Sequence, residues 1–280
     1  MNTMLPDQRG VGTLITTVVG NYPKIGMGTK TPNLRTAISR GDRGEMTPEQ
    51  IQGVRAEVTA EVISDQIQAG IDLVTDGLIR WDDGQTYLAR AISGFSFTGL
   101  IRYFDTNTYF RQPVVDGLLK WSAPITVADY EFAAANSSKP VKAVLTGPYT
   151  LARLSKDQKY HDQKKLVLDL AEVLNQEAKA LQKAGATVIQ FDEPAILKHK
   201  DEFPLFQEAM GYVLDGDRQI EIDAPTTVVM NVTETADGDT TLVHLINYDV
   251  QLTETQKAFG IDEVPPVTST VCPLKSRAAA

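Results

Sequence analysis

Residues 188–196 read VIQFDEPAI, an apolar run about one strand long that ends in two carboxylates and a proline. Val188, Ile189 and Phe191 favour extended backbone, and Pro194 stops a hydrogen-bonded ladder because it has no backbone donor. Side chains alternate along a strand, so Val188, Gln190 and Asp192 share one face while Ile189, Phe191 and Glu193 share the other. The two adjacent acids therefore cannot form a paired acid–base dyad within the strand. Gln190 and Asp192 put polarity on a face where a purely structural buried strand carries Val or Leu. The stretch is either a ligand site at a strand end or a turn that caps the next segment.

Working outward, Leu166, Leu170, Leu174, Ala178 and Leu181 recur at helical spacing and Gly185-Ala186 ends the run, so a long amphipathic helix precedes the strand. Val141 to Thr146 reads as another strand, closed by Gly147-Pro148. Thr47-Pro48-Glu49-Gln50 offers an N-cap, a proline at the first helical position and a capping-box partner, opening a helix that runs to Gly70. Strands are expected at 16–23 and 71–76, and helices at 82–92 and 126–136. Residues 96–123 are aromatic-rich and read as an excursion with hairpin strands. Repeated strand–helix order implies parallel pairing through right-handed crossovers, hence an α/β sheet or barrel.

Past residue 216 the pattern changes. Thr227 to Thr233 and Thr240 to Asn247 alternate around Ala236-Asp237-Gly238-Asp239, a hairpin signature. The expected division is therefore 1–216, an α/β portion, and 217–280, a β-hairpin-rich tail. A net charge of -9 argues against nucleic acid and anionic lipid as partners. No stretch approaches the ~18 apolar residues of a membrane span, and the N-terminus lacks a signal-peptide pattern, so the expected setting is the cytoplasm. The single cysteine, Cys272, excludes an internal disulfide.

Parallel strands bring their C-terminal ends to one edge, where α/β folds hold ligands. Asn21, Asp76, Thr146 and Asp192 stand at or near those ends, each beside a Gly or Pro. In a barrel, alternate strands feed one interior layer, so Asp76 and Asp192 are expected to face one pocket suited to a cationic group.

TTVVGNYPKIG (16–26), LVTDGLIRWDD (73–83), VLTGPYTLA (144–152) and VIQFDEPAIL (188–197), in this order and spacing, resemble the catalytic barrel of cobalamin-independent methionine synthase, in its short archaeal form. The resemblance covers residues 13–215 and implies the first four βα units of a (β/α)8 TIM-type barrel. It implies an enzyme that moves a methyl group to the thiol of homocysteine to make methionine. The methyl donor would be methyltetrahydrofolate or a methylated corrinoid protein, and zinc would hold the thiol as thiolate. By resemblance, Asp192 grips the substrate ammonium, Asp76 lines the same pocket, and Gly20 and Asn21 contact the amino acid's backbone atoms. Thr146 and Glu193 complete the expected substrate-binding set.

In that family a His-x-Cys pair, a later Glu and a second Cys form the zinc shell, and this chain has no His-x-Cys. His161 and His199 lie in charged stretches and read as solvated, and His244 reads as a strand histidine, so no metal ligand is assigned. Impaired methyl transfer is the expected consequence. The alternatives are a non-catalytic amino-acid-binding or interaction module and, from a short likeness of the tail to glycoside hydrolase β-sandwich modules, a carbohydrate-related accessory protein. Four parallel strands also leave two open sheet edges, which the tail hairpin or a homodimer would cover.

Overall fold

The computed structural model describes residues 15–24, 34–104 and 106–214, together with the backbone of strands 228–234 and 241–247. Its elements are α1 (Leu34–Asp42), α2 (Pro48–Gln68), α3 (Thr86–Ala91), β1 (Ser93–Arg102), β2 (Tyr109–Lys120), α4 (Val127–Ala135), β3 (Ala143–Thr146), α5 (Pro148–Leu154), β4 (Lys156–Asp157), α6 (Gln163–Lys183), β5 (Ile189–Asp192), two short 3-10 turns, α7 (Phe203–Val213), β6 (Val228–Glu234) and β7 (Thr241–Asn247).

The architecture is mixed α/β, and the parallel contacts follow chain order. Thr17 bridges Leu73, Val74 bridges Val141, and β3 pairs with β5 in the register Ala143↔Ile189 to Thr146↔Asp192, all parallel. Backbone bonds carry the order: Leu73 N donates to Thr16 O at 3.0 Å, Lys142 N to Val74 O at 3.0 Å, and Ala143 N to Val188 O at 3.0 Å. The first two segments, expected as strands over 16–23 and 71–76, pair only at single bridges. Side chains take over there. Asp72 accepts from Thr16 N and Thr16 Oγ1, while Gln66 of α2 brackets Thr75, accepting from its N–H and donating to its carbonyl, each at 2.9 Å.

Local chemistry sets the helices. Thr47 Oγ1 accepts from Gln50 N while Gln50 Oε1 accepts from Thr47 N, so the expected capping box opens α2, and Gly70 follows it at φ +83°. Along α6, Leu166, Leu170 and Leu174 are fully buried, each contributing roughly 1.5–3 kcal/mol. Glu177, on the same helix, accepts four hydrogen bonds, from Trp121 Nε1, Ile125 N, Thr126 N and Thr126 Oγ1, which tie the start of α4 to α6.

The helix expected over 82–92 starts only at Thr86, because the Asp83 carboxylate accepts from Gln85 N, Thr86 N and Thr86 Oγ1 and folds 83–86 into a turn. The aromatic-rich excursion is an antiparallel hairpin, β1 with β2, whose second strand also pairs in parallel with β4. In the tail, β6 and β7 pair with each other as a separate two-stranded sheet, within one residue of the expected runs. Residues 235–240, Cys272 and everything after 247 lie outside the described residues. No described helix is long and apolar enough to cross a membrane.

Candidate functional site

The β3–β5 pair presents two unlike faces. Register and alternation put Ala143 and Leu145 of β3 on one face with Ile189 of β5, in an apolar cluster that also holds Val144, Leu181 of α6 and Ala186. On the other face lie Lys142, Val144 and Thr146, and in register with the last two are Gln190 and Asp192. Lys142 and Thr146 are each 4 % exposed and Gln190 8 %, so this polar row is shielded. A chain of hydrogen bonds runs along it: Lys142 Nζ donates to Gln190 Oε1 at 2.6 Å, and Gln190 Nε2 donates to Asp192 Oδ1 at 2.6 Å. No described residue donates to Asp192 Oδ2. Burial raises the Asp192 carboxyl above its ordinary range, opposed by the Gln190 hydrogen bond and the Lys142 charge. Loss of water also pulls the Lys142 ammonium down to about 8, with Asp192 holding it up. From the end of the β1–β2 hairpin, Tyr103 feels the charges of Asp192, Asp83 and Glu193, which add to burial in raising its hydroxyl pKa.

Glu193, expected beside a ligand, is committed elsewhere. Its side chain leaves on the opposite face and seats the start of α5, with Oε1 accepting from Tyr149 N at 2.9 Å and Oε2 from Thr150 N at 2.6 Å. The N-cap of α5 is Gly147, and a Cβ there would fall 2.2–2.4 Å from Glu193 side-chain atoms, so glycine makes room for this carboxylate. Burial pushes Glu193 up to about 7, against the bonds from Thr150 and Tyr149. Thr146 Oγ1 donates to Gly84 O at 2.5 Å, tying the end of β3 to the turn before α3.

Asp76 is also placed differently from expectation. Val74 pairs with Val141 and Ala143 with Ile189, so alternation puts Asp76 on the face of Val141 and Ala143, opposite Asp192. There it looks toward α4. It lines a cavity of about 20 Å³ with Thr126, Asp129 and Tyr130 and with the 141–144 segment, Lys142 included, room for about one water. Its Oδ1 accepts from Leu78 N at 3.0 Å across the turn at Gly77, φ +68°. Beside it Asp129 accepts from Arg80 Nη1 at 2.8 Å and from Tyr87 OH at 2.5 Å, and Arg80 lies over the Phe132 ring. Burial, with the Asp129 charge adding, raises Asp76 to about 6. Gly20, at φ +90°, and Asn21 are exposed at the end of the first segment, where Tyr22 N donates to Gly77 O.

Residues 14–210 match the family profile described as the catalytic domain of cobalamin-independent synthase. The chain belongs to the cobalamin-independent methionine synthase family. It is 38% identical over 205 residues to the methionine synthase of Sulfurisphaera tokodaii, covering 72% of this chain and 58% of the relative. To that of Saccharolobus solfataricus it is 37% identical over 205 residues, covering 72% of this chain and 59% of the relative. Among solved structures it resembles a B12-independent methionine synthase from Shewanella sp. W3-18-1 in complex with selenomethionine. The TM-score is 0.61 at 26% identity, over 73% of this chain and 59% of that one. The chain thus spans a little under three fifths of the length of these synthases, and residues after 210 lie outside the family match.

The synthase family implies zinc, and the described residues do not fit it. Among them no group of three or more His, Cys, Asp or Glu side chains is placed to hold a metal. His161 is exposed at φ +50°, and His199 stands at the start of the 3-10 turn Lys200–Glu202. His244 falls in β7.

Sequence reasoning flagged the polar face of β5 but missed Lys142, Tyr103 and the Arg80–Asp129–Tyr87 cluster. Lys142 carried a signal, a lysine inside the otherwise apolar run of Val141 to Leu145.

Proposed function

We propose that this chain binds an α-amino acid of the homocysteine and methionine type at the end of β5, as part of methionine-synthase-type methyl transfer. The observation that carries the reading is the Asp192 carboxylate, fixed through Oδ1 by Gln190 and left with Oδ2 for a cation. An α-ammonium is the complementary group. Gly20 and Asn21, at the end of the first parallel segment, would contact the amino acid's backbone atoms. The four parallel segments in chain order support the first half of a (β/α)8 barrel. The selenomethionine in the Shewanella synthase is an amino acid of the proposed class.

In the transfer itself, the homocysteine sulfur takes the methyl group, from methyltetrahydrofolate or from a methylated corrinoid protein, and gives up its proton. A free thiol with pKa ≈ 8.5 is mostly protonated at neutral pH and is then a poor nucleophile. With no metal-holding group among the described residues, this chain binds the amino acid but transfers methyl slowly. We place it in the cytoplasm, as a homodimer that pairs its open sheet edges.

Calorimetry with homocysteine and methionine, run beside zinc analysis and a methyl-transfer assay, tests the reading. The expected result is binding without appreciable turnover. Asp192→Ala should weaken binding by roughly 10- to 150-fold, the loss of one charge-assisted hydrogen bond worth about 1.5–3 kcal/mol, with near-UV circular dichroism unchanged. Absence of binding in the unaltered chain removes the proposal. Turnover with stoichiometric zinc overturns the impairment.

A further inference from the structure

We infer that Lys142 is a positioning residue for Asp192: by holding Gln190 Oε1 it forces the Gln190 amide to offer Nε2 to Asp192 Oδ1, leaving Oδ2 open for a ligand cation. The inference rests on the reading of Asp192 as the ammonium acceptor.

A charged lysine carries three donors and no acceptor, whereas a glutamine amide carries one oxygen and one NH2 group. With Lys142 Nζ at 2.6 Å from Gln190 on one side and the Asp192 carboxylate at 2.6 Å on the other, one orientation satisfies both neighbours. Turning the amide over would set its NH2 against the ammonium and its oxygen against the carboxylate. Both contacts would be repulsive, inside a row where Lys142 and Gln190 are nearly closed to water. The arrangement needs both end groups ionised, and an ionised Asp192 is what an ammonium ligand requires.

The groups around Asp192 come from three segments. Lys142 stands just before β3 and Gln190 on β5 itself, and both act on Asp192, while Tyr103, at the end of the β1–β2 hairpin, feels the charges of Asp192 and Asp83. Glu193 is next in the chain but turns to the other face and is held by α5. Lys142 is the positive charge among them. Its ammonium, pulled down only to about 8, stays mostly charged at neutral pH.

The test is made on the full chain with Lys142→Met, Lys142→Arg and Gln190→Leu. The Asp192 carboxyl is titrated by 13C NMR of aspartate-labelled protein, with the resonance assigned through Asp192→Asn. Homocysteine affinity is measured against pH on the same samples. Lys142→Met and Gln190→Leu should each raise the Asp192 midpoint by about one unit, and should move the acid limb of the binding profile by the same amount. At a pH below the shifted midpoint, affinity then falls by up to about tenfold. Lys142→Arg, which restores a charge and a donor, should return the midpoint most of the way, a rescue that a merely structural lysine would not produce. An unmoved Asp192 midpoint in whichever of Lys142→Met and Gln190→Leu retains its near-UV circular dichroism overturns the inference. A shifted midpoint in a chain that does not bind homocysteine keeps the relay and removes the amino-acid reading.

Discussion

Asp192 and Asp76 both end parallel segments, both stand beside a sharp turn, and burial raises the carboxyl pKa of each. Their surroundings differ in kind. Asp192 keeps one oxygen without a described donor and meets a lysine through a glutamine on its own face. Asp76 is folded back onto Leu78 N and lies next to Asp129, whose two oxygens are already taken by Arg80 and Tyr87. Asp76 too has no described donor on Oδ2, but there the neighbouring space is a cavity of about 20 Å³ beside the Asp129 carboxylate, whose bonds to Arg80 and Tyr87 lock the turn after the second segment onto α4. Position at a strand end nominates a residue for a site, but register with neighbouring strands decides whether it enters one.

The largest effect separating the two corners should come from Asp129→Ala. The Arg80–Asp129 pair has side chains only 18% and 9% exposed, so removing the acid strands a guanidinium that has little access to water. Breaking such a pair costs about 3–5 kcal/mol. Urea unfolding should register that loss, while the homocysteine affinity of the folded fraction stays within about threefold of the unaltered chain. If affinity falls along with stability, the α4 corner and the Asp192 end belong to one site and the separation drawn here is wrong.

A smaller effect, with a definite pH signature, is expected at Asp76. Its folded pKa of about 6 lies above the ordinary 3.8, so between those values the folded chain keeps a proton that the unfolded chain has released. Its stabilising contribution is complete below about pH 4 and is lost as pH rises through 6, a cost on the order of 1–3 kcal/mol. Asp76→Asn keeps an Oδ1 acceptor for Leu78 N and removes the titration. The variant should match the unaltered chain near pH 4 and exceed it in stability at pH 8. Glu193, raised to about 7 from 4.5, gives a window of the same sign. It is present in both proteins and cancels in their difference. Equal stability differences at the two pH values would mean that Asp76 ionises freely in the folded chain.

The sequence carried the local part of this architecture. Thr47 with Gln50, the Leu166–Leu170–Leu174 stripe and the alternation of β5 each depend on residues within about one helical turn or one strand of each other, and each appears as expected. What escaped depends on partners far along the chain. Lys142 finds Gln190 48 residues away, Glu193 reaches back 44 residues to Tyr149 N, and Asp83 shortens α3 through a turn that competes with the helix. The misplacement of Asp76 has the same origin. Counting alternate strands fixes a layer only once the register between strands is known, and register is a tertiary fact.

The finest discrimination falls on Thr146, the register partner of Asp192 and a member of the same shielded face. Its hydroxyl donates to Gly84 O, so on present geometry it anchors the turn before α3, although its oxygen retains lone pairs that a ligand could use. Thr146→Val keeps the shape and deletes the hydroxyl. If the anchor is its whole role, stability should fall by about 1 kcal/mol, the net worth of one hydrogen bond plus a carbonyl left short of a partner, and homocysteine affinity should change less than about threefold. The turn then loosens at Gly84, which stands one residue after Asp83, so Asp192 should feel the change only through Asp83 and Tyr103. Urea unfolding and calorimetry on the same sample separate the outcomes. A loss of affinity of tenfold or more with stability unchanged would move Thr146 from the scaffold to the ligand and widen the candidate site from one strand end to two.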